Sequence, residues 1–421
     1  MARTRVIYQS EAVYCSQDVA FDADQTAAGA VKQLDRVQSA NYSFSVARQD
    51  VNQFGNLAAI DQIITESPTV SFDTSYYLAN LSNERLMGFH VTPSGIKTFS
   101  SCIGTIIDST TNDYQKDFYI LTSKEGKDAN ENTTTGDFSH GASIIGIGNA
   151  FLNSYSTEGA VGGLPTVSIG VEGQNMNFVN LPYTQGKTFI GGGLAMNAAK
   201  DTVTYISGEN PAVSSTNGDK VNQPIALPVP RNDVGNSGSY GDTVSTLRPG
   251  DITLTLAKQT TDSNTSTTVF KSTAGANNMS SPDYAGASID DAHIQSYSLS
   301  FDLSRSPIQK LGNKFAFART VDFPISVSLS VDAVLSELTT GSLADIINCD
   351  DKFDARVTLK DPNANTAAMV NYLLKGLKLD SQSFSSDIGS NKTVTLDFTS
   401  QIGGPDQYEH GVFMSGWYAG Q

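Results

Sequence analysis

Residues 38–59, QSANYSFSVARQDVNQFGNLAA, decide the fold because they occur twice. At an offset of 257, the step from Gly55 to Gly312, they return as residues 295–316, QSYSLSFDLSRSPIQKLGNKFA. Gln38, Ser39, Ser43, Phe44, Arg48, Gly55, Asn56 and Ala59 fall on Gln295, Ser296, Ser300, Phe301, Arg305, Gly312, Asn313 and Ala316 without a gap. Val37, Val46, Val51 and Phe54 fall on Ile294, Leu303, Ile308 and Leu311, apolar on apolar. Each copy reads as a strand that ends in an Arg, followed by a turn at Gly-Asn. A match of this length implies an internally duplicated unit.

The correspondence runs on in both directions. PTVSFDTSYYL (68–78) alternates β-branched and aromatic residues with polar ones, a strand signal, and its counterpart is PISVSLSVDAV (324–334). The offset is 257 if Val70 pairs with Val327 and 256 if Pro68 pairs with Pro324; a one-residue bulge reconciles both. Asp117 matches Asp354, and LNSYSTEGAVGGLPTVSIGV (152–171) matches LDSQSFSSDIGSNKTVTLDF (379–398), each a long hairpin. KTFIGG (187–192) echoes GVFMSG (411–416). The shrinking offset places extra residues of the first copy in 80–100 and 124–142. An opening strand is expected over 3–13, answered loosely by 247–258. Helices are few: 336–348 is the best candidate, with 82–90 in the matching place, capped by Ser82 or Asn83. The chain divides into residues 1–195 as first copy, 196–245 as a Pro-, Gly- and Asn-rich linker or insertion holding one plausible strand at 202–207, and 246–421 as second copy.

Bulk properties agree. A chain of 421 residues suits two domains, and 17% charged residues with 36 Gly suit an all-β protein with a minor helical part. A net charge of −16 excludes wrapping nucleic acid by neutralising phosphates, yet an acidic wall can surround DNA without holding it. Cys15, Cys102 and Cys349 have neither disulfide-framework nor zinc spacing and read as free thiols. No signal peptide and no apolar run of transmembrane length is seen.

No motif carries catalytic chemistry. His90, His140, His293 and His410 lack metal-ligand spacing. The run from Asp128 begins like a calcium loop, but Thr133 and Ser139 stand where Gly and Glu belong. Gly146-Ile147-Gly148 and Gly191-Gly192-Gly193 form no phosphate-binding fingerprint and read as strand ends or bulges. Asp350, Asp351 and Asp354 cluster as glycosidase carboxylates can, but the other copy also holds an acid there, at Asp117, which favours a turn-forming role. The expectation is no enzyme, no cofactor and no metal. Arg48 and Arg305 stand out in a charge-poor β protein. Each either bonds to loop carbonyls or an acidic partner within its own domain or forms a salt bridge to a neighbouring subunit, and the sequence leaves both open. Gly55, Asn56, Gly312 and Asn313 join them as interface or shaping candidates.

The run 36–78, followed by NERLMGF (83–89), and the C-terminal run 379–404 resemble the tail tube (major tail) proteins of long-tailed bacteriophages. The resemblance covers both halves. It implies two tandem β-sandwich domains that give strands to a ring-shaped β-barrel, with rings stacking into a tube that conducts DNA from capsid to host. The implied place is the virion tail, assembled in the host cytoplasm. The implied partners are the chain itself, tape-measure, tail-terminator, baseplate and sheath proteins, and passing DNA bound without sequence preference. The doubled chain departs from the one-domain form. Three chains then supply six domains if both copies line the lumen, which the shared Arg and Gly-Asn features favour; six chains are needed if one copy is decoration.

A second class remains, a β-sandwich that binds receptors or carbohydrates on a virion or cell surface. It predicts an exposed aromatic cluster, for which Trp417 and Tyr418 are the candidates.

Overall fold

Ile325–Val334, ISVSLSVDAV, alternates so strictly that every apolar residue up to Ala333 is buried, while Ser326 and Ser328 between them are exposed and Ser330 and Asp332 partly so. That period of two is the signature of a strand with one face on a core. It recurs in Thr69–Tyr77 and Thr393–Ile402. The computed structural model describes residues 11–16, 31–65, 69–93, 100–107, 116–122, 142–173, 175–181, 246–258, 272–273, 276–277, 293–308, 311, 318–334, 352–360, 368–386, 391–404, 407 and 410–416.

In chain order the first half gives β1 (Glu11–Ser16), β2 (Val31–Gln33), β3 (Val37–Ser45), β4 (Arg48–Val51), β5 (Asp61–Ile64), β6 (Thr69–Tyr77), α1 (Ser82–Leu86), β7 (Val91–Pro93), α2 (Gly104–Ile107), β8 (Lys116–Thr122), β9 (Ala142–Ala160), β10 (Thr166–Gly173) and β11 (Asn175–Leu181). The second half gives β12 (Ile252–Lys258), the two-residue strands β13 (Ser272–Thr273) and β14 (Ala276–Asn277), β15 (His293–Asp302), β16 (Arg305–Ile308), β17 (Ala318–Val321), β18 (Ile325–Val334), β19 (Phe353–Lys360), β20 (Ala368–Ser385), β21 (Thr393–Ile402) and β22 (Gly411–Gly416). The protein is all-β dominated, with short helical segments.

Most pairings of one half recur in the other; β1 with β2 and β13 with β14 have no counterpart among the described residues. The first half joins β1 to β8, β8 to β9, β9 to β10 and β11, β10 to β6, β6 to β3, and β4 to β5. The second joins β12 to β19, β19 to β20, β20 to β21 and β22, β21 to β18, β18 to β15, and β16 to β17. Registers agree as well. Val70 faces Phe44 and Val327 faces Phe301, so the offset is 257, not 256, along this strand. Bulges recur at the same places: between Val37 and Ser39 as between Ile294 and Ser296, and opposite Gly170/Val171 as opposite Asp397/Phe398.

The long strands β9 and β20 each serve two layers. The N-terminal part of β9 pairs with β8 and β11, and its C-terminal part with β10. β20 does the same with β19 and β22, then with β21. Between the layers lies a core that includes Phe72, Phe118, Tyr155, Phe301, Phe353 and Phe398. Each such side chain contributes roughly 1.5–3 kcal/mol by leaving water.

Several expectations shift. Of the expected opening strand, 3–10 lie outside the described residues and β1 extends it to Ser16; the equivalent of 11–16 in the second half is 252–257, because Cys15 and Leu256 face the equivalent Phe118 and Ala355. The counterpart of β22 is β11, not 187–192, which lies outside the described residues, as do 202–207 and 336–348. Neither Ser82 nor Asn83 caps α1; Leu81 stands at that place with no side-chain cap. The Asn83 amide instead brackets Asp35, donating to its carbonyl at 2.9 Å and accepting from its N–H at 3.0 Å. Asp117 and Asp354 are not in turns. Each is the buried second residue of a strand, and the Asp354 carboxylate accepts the N–H of Gly376 at 3.1 Å. Gly376 has φ +69, which a side chain resists, so Asp354 fixes a kink in β20.

Candidate functional site

The two halves are one sheet. β15 of the second half pairs with the C-terminal part of β9 of the first, from Ser296 opposite Ala160 to Asp302 opposite Ser154. The resulting order is β3-β6-β10-β9-β15-β18-β21-β20, a four-stranded unit followed by its equivalent. A second joint lies in residues that only the first half has: β7 pairs in parallel with β22. Among the described residues, β3 and the 378–385 part of β20 have a strand on one side only.

These two outer edges expose what the inner joint buries. By the shared registers Tyr42 and Phe44 are the equivalents of Leu299 and Phe301. Tyr42 is 39% and Phe44 45% exposed, against 0% and 2% for Leu299 and Phe301, which lie against the first half. At the other end Phe384 is equivalent to Thr157; it is 53% exposed against 1%. Large apolar residues on an open strand edge invite another strand.

The opposite face of this sheet is polar. Ser39 bonds Ser75 and Ser43 bonds Ser71, each at 2.6 Å. Asp332 accepts from Ser296 and Thr395, and Asp397 from Ser330 and Ser381. Asp73, Glu158 and Asp302 stand on the same face by alternation. Arg319 lies on β17, and Lys378 lies inside β20 where its pairing with β21 begins. The serines alternate with core residues because they suit a pleated, half-wet surface and satisfy one another across strands.

Two hairpin arms leave the sheet. In the first, β4–β5, the side chains of Phe54, Leu57, Ile60 and Ile63 are exposed. Arg48 opens β4 opposite Ile64 and Arg305 opens β16 opposite Val321, so each Arg starts a strand rather than ending one. Gly55, at φ +92, and Asn56, whose N–H reaches the Gln53 carbonyl at 3.3 Å, shape the tip of the first arm. Gly312 and Asn313 lie outside the described residues. The second arm, β16–β17, is tied down onto the first half. Arg305 donates to the Arg319 carbonyl at 3.0 Å and its guanidinium lies 4.8 Å from the centre of the Phe151 ring. Arg319, nearly buried, bonds and ion-pairs with Glu172. Arg305 thus makes contacts within its own chain, one of which crosses between halves. Arg48 is exposed.

A buried polar cluster sits where the halves meet. The Glu84 carboxylate of α1 accepts from Tyr76 at 2.8 Å and Tyr155 at 3.4 Å, and Tyr155 and Tyr372 share a 2.8 Å bond. Burial pushes Glu84 up to about 7, against the lowering pull of its tyrosine bonds. Burial first, then the neighbouring charges, holds Tyr76, Tyr155 and Tyr372 well above the usual phenol range.

Sequence reasoning missed Arg319, Glu172, Tyr42, Phe384 and Glu84. A usable signal existed for the ion pair. The equivalents of Arg319 and Glu172 are Gln62 and Thr399, so charge appears in one copy only. Candidates for chemistry stay apart: among the described residues no three His, Cys, Asp or Glu form a metal-binding group, and no helix is long and apolar enough to cross a membrane. Cys15 and Cys102 are buried free thiols, Cys15 pushed by burial to about 12. Residues 128–139, Gly191, Asp350, Asp351, Trp417 and Tyr418 lie outside the described residues.

No family model and no curated protein matches this sequence. Among solved structures the chain is similar to one from the virion of a native gene transfer agent particle, at 12% identity and TM-score 0.20, over 27% of this chain and 82% of that one. It is also similar to one from the tail of an empty gene transfer agent particle with C6 symmetry, at 14% identity and TM-score 0.22, over 28% and 84%. A third is from the six-fold symmetrised baseplate of the anti-feeding prophage, at 13% identity and TM-score 0.22, over 28% of this chain and 76% of that one.

Proposed function

We propose that this chain is a structural virion protein that assembles head to tail into rings, and that the rings stack into a phage tail tube. One observation carries the reading: β15 continues the sheet of the first half through β9, and the unit formed in this way ends in the same two kinds of edge, each with a strand on one side only among the described residues. A heterologous contact of this sort repeats until it closes on itself. Closure removes the exposed edges.

The polar face then lines the conduit. Several of its hydroxyls are bonded to one another or to Asp332 and Asp397, which leaves fewer donors for DNA, and its carboxylates repel phosphates. Both halves contribute equally to that wall, which favours three chains per ring over six. The exposed arm β4–β5 suits contact along the axis with the next ring or with a terminator, baseplate or sheath protein. Tape-measure protein and DNA occupy the lumen, and no cofactor or catalysis is required.

Negative-stain microscopy of the purified chain tests this. Rings or hollow tubes are expected, with ring mass three times 44.7 kDa. A particle that stays monomeric under every assembly condition and binds glycans sinks the reading in favour of a surface-binding sandwich.

A further inference from the structure

The internal joint is a template for the joint between chains, and it differs from that joint at named positions. We propose that β3 of one chain adds to β20 of a second copy in the register of β15 on β9, and that this joint, unlike the internal one, sets Arg48 against Lys378. The proposal rests on the self-assembling reading above.

The register follows from shared pairings. Ser300 faces Ser156 and Leu299 faces Thr157 in the internal joint. Their equivalents are Ser43 with Ser383 and Tyr42 with Phe384. The new contact therefore covers two aromatic rings that now stand in water, and pairs serine with serine on the polar face.

The arms mark the difference. In the internal joint Arg305 lies over Phe151 and Arg319 grips Glu172. The equivalent of Phe151 is the exposed Lys378, and the equivalents of the ion pair are Gln62 and Thr399. Arg48 thus meets a cation where Arg305 meets a ring, with Asp380 two residues from Lys378 as partial relief. The joint between chains is held by aromatic contact and backbone pairing, opposed by like charge. Salt that screens the pair strengthens it. The chain carries its own brake on assembly at one joint in two.

The test uses the full chain with Cys349→Ser, since Cys15 and Cys102 are buried. With Ser43→Cys and Ser383→Cys together, mild oxidation should give a ladder of covalent multimers. Either single change, or Ser43→Cys with Ser381→Cys two residues out of register, should give none. Separately, Lys378→Phe should lower the protein concentration needed for assembly at low salt by roughly threefold or more, with a smaller gain at high salt. An unchanged melting temperature confirms that each variant folds. Rings or tubes without the in-register ladder, or an out-of-register ladder as strong, overturn the proposal and leave the tube reading standing. A Lys378→Phe chain with wild-type salt dependence overturns the charge brake. If wild type never assembles, both fall.

Discussion

The hydroxyls of Tyr155 and Tyr372, one from each half of the chain, meet at 2.8 Å beside the buried Glu84 carboxyl. Glu84 ordinarily titrates at 4.5 and is held at about 7 in the fold, so between those values the folded chain binds more protons than the unfolded one. Stability therefore falls as pH rises from about 4.5 to 7 and is flat above. Glu84→Gln should erase that slope: relative to the variant, wild type should lose at most about 3 kcal/mol across the window. Thermal or denaturant melts of both proteins on either side of it measure the difference. Parallel curves would remove Glu84 as the titrating group.

Arg319→Ala should free the second arm. The pair with Glu172 anchors β16–β17 to the first half, and its loss should cost about 2 kcal/mol, the range for a hydrogen bond between charged groups. Hydrogen exchange in β16–β17 should then rise toward that of β4–β5. Unaltered exchange would show that the Arg305 contacts alone hold the arm.

Arg305→Glu and Arg48→Glu should act in opposite ways. The first loses the Phe151 stack and the bond to the Arg319 carbonyl, and should lower chain stability by about 1–2 kcal/mol. The second changes an exposed side chain, so melting should shift by no more than about 0.5 kcal/mol, while assembly should become easier as Glu meets Lys378. Equal destabilisation by both would contradict the division between internal and outer joints.

Gly376→Ala should destabilise by more than about 1 kcal/mol. Its φ of +69 disfavours a side chain, and an added Cβ would meet the His410 ring. Gly250→Ala, with open space around it, is the matched control. Similar melts would mean that the kink in β20 relaxes freely.

The repeated stretch was legible because like sequence gives the same strand, bulge and hairpin in both halves, and alternation of Ser with Val, Leu or Phe shows which face is dry. β7 lies within 80–100, where the shrinking offset placed extra residues of the first copy. Two kinds of error have physical causes. Asp117 and Asp354 look like turn residues because aspartate usually is one; burial beside a kinked strand is a tertiary circumstance. KTFIGG resembles GVFMSG in composition, yet β11 takes the place because pairing to β9, not resemblance, decides register. The joint of β9 with β15 was illegible, since nothing local in either strand names a partner more than a hundred residues away. Arg48 and Arg305 looked alike for the same reason. Their difference lies in what faces them, Phe151 for one and the open edge for the other.

The pairing of β9 with β15 inside one chain also changes the kinetics of building anything larger. Two units on one polypeptide meet at the local concentration set by their tether, in the millimolar range for flexible connections, whatever the amount of protein in the cell. Half of the contacts in any closed assembly are thus made during folding, before two molecules ever collide. Only the remaining half need diffusional encounter, and in the head-to-tail ring proposed above each encounter would join the end of one pair to the start of another. Odd numbers of units are thereby excluded by connectivity, while the orientation of neighbouring chains rests on the edge pairing proposed above.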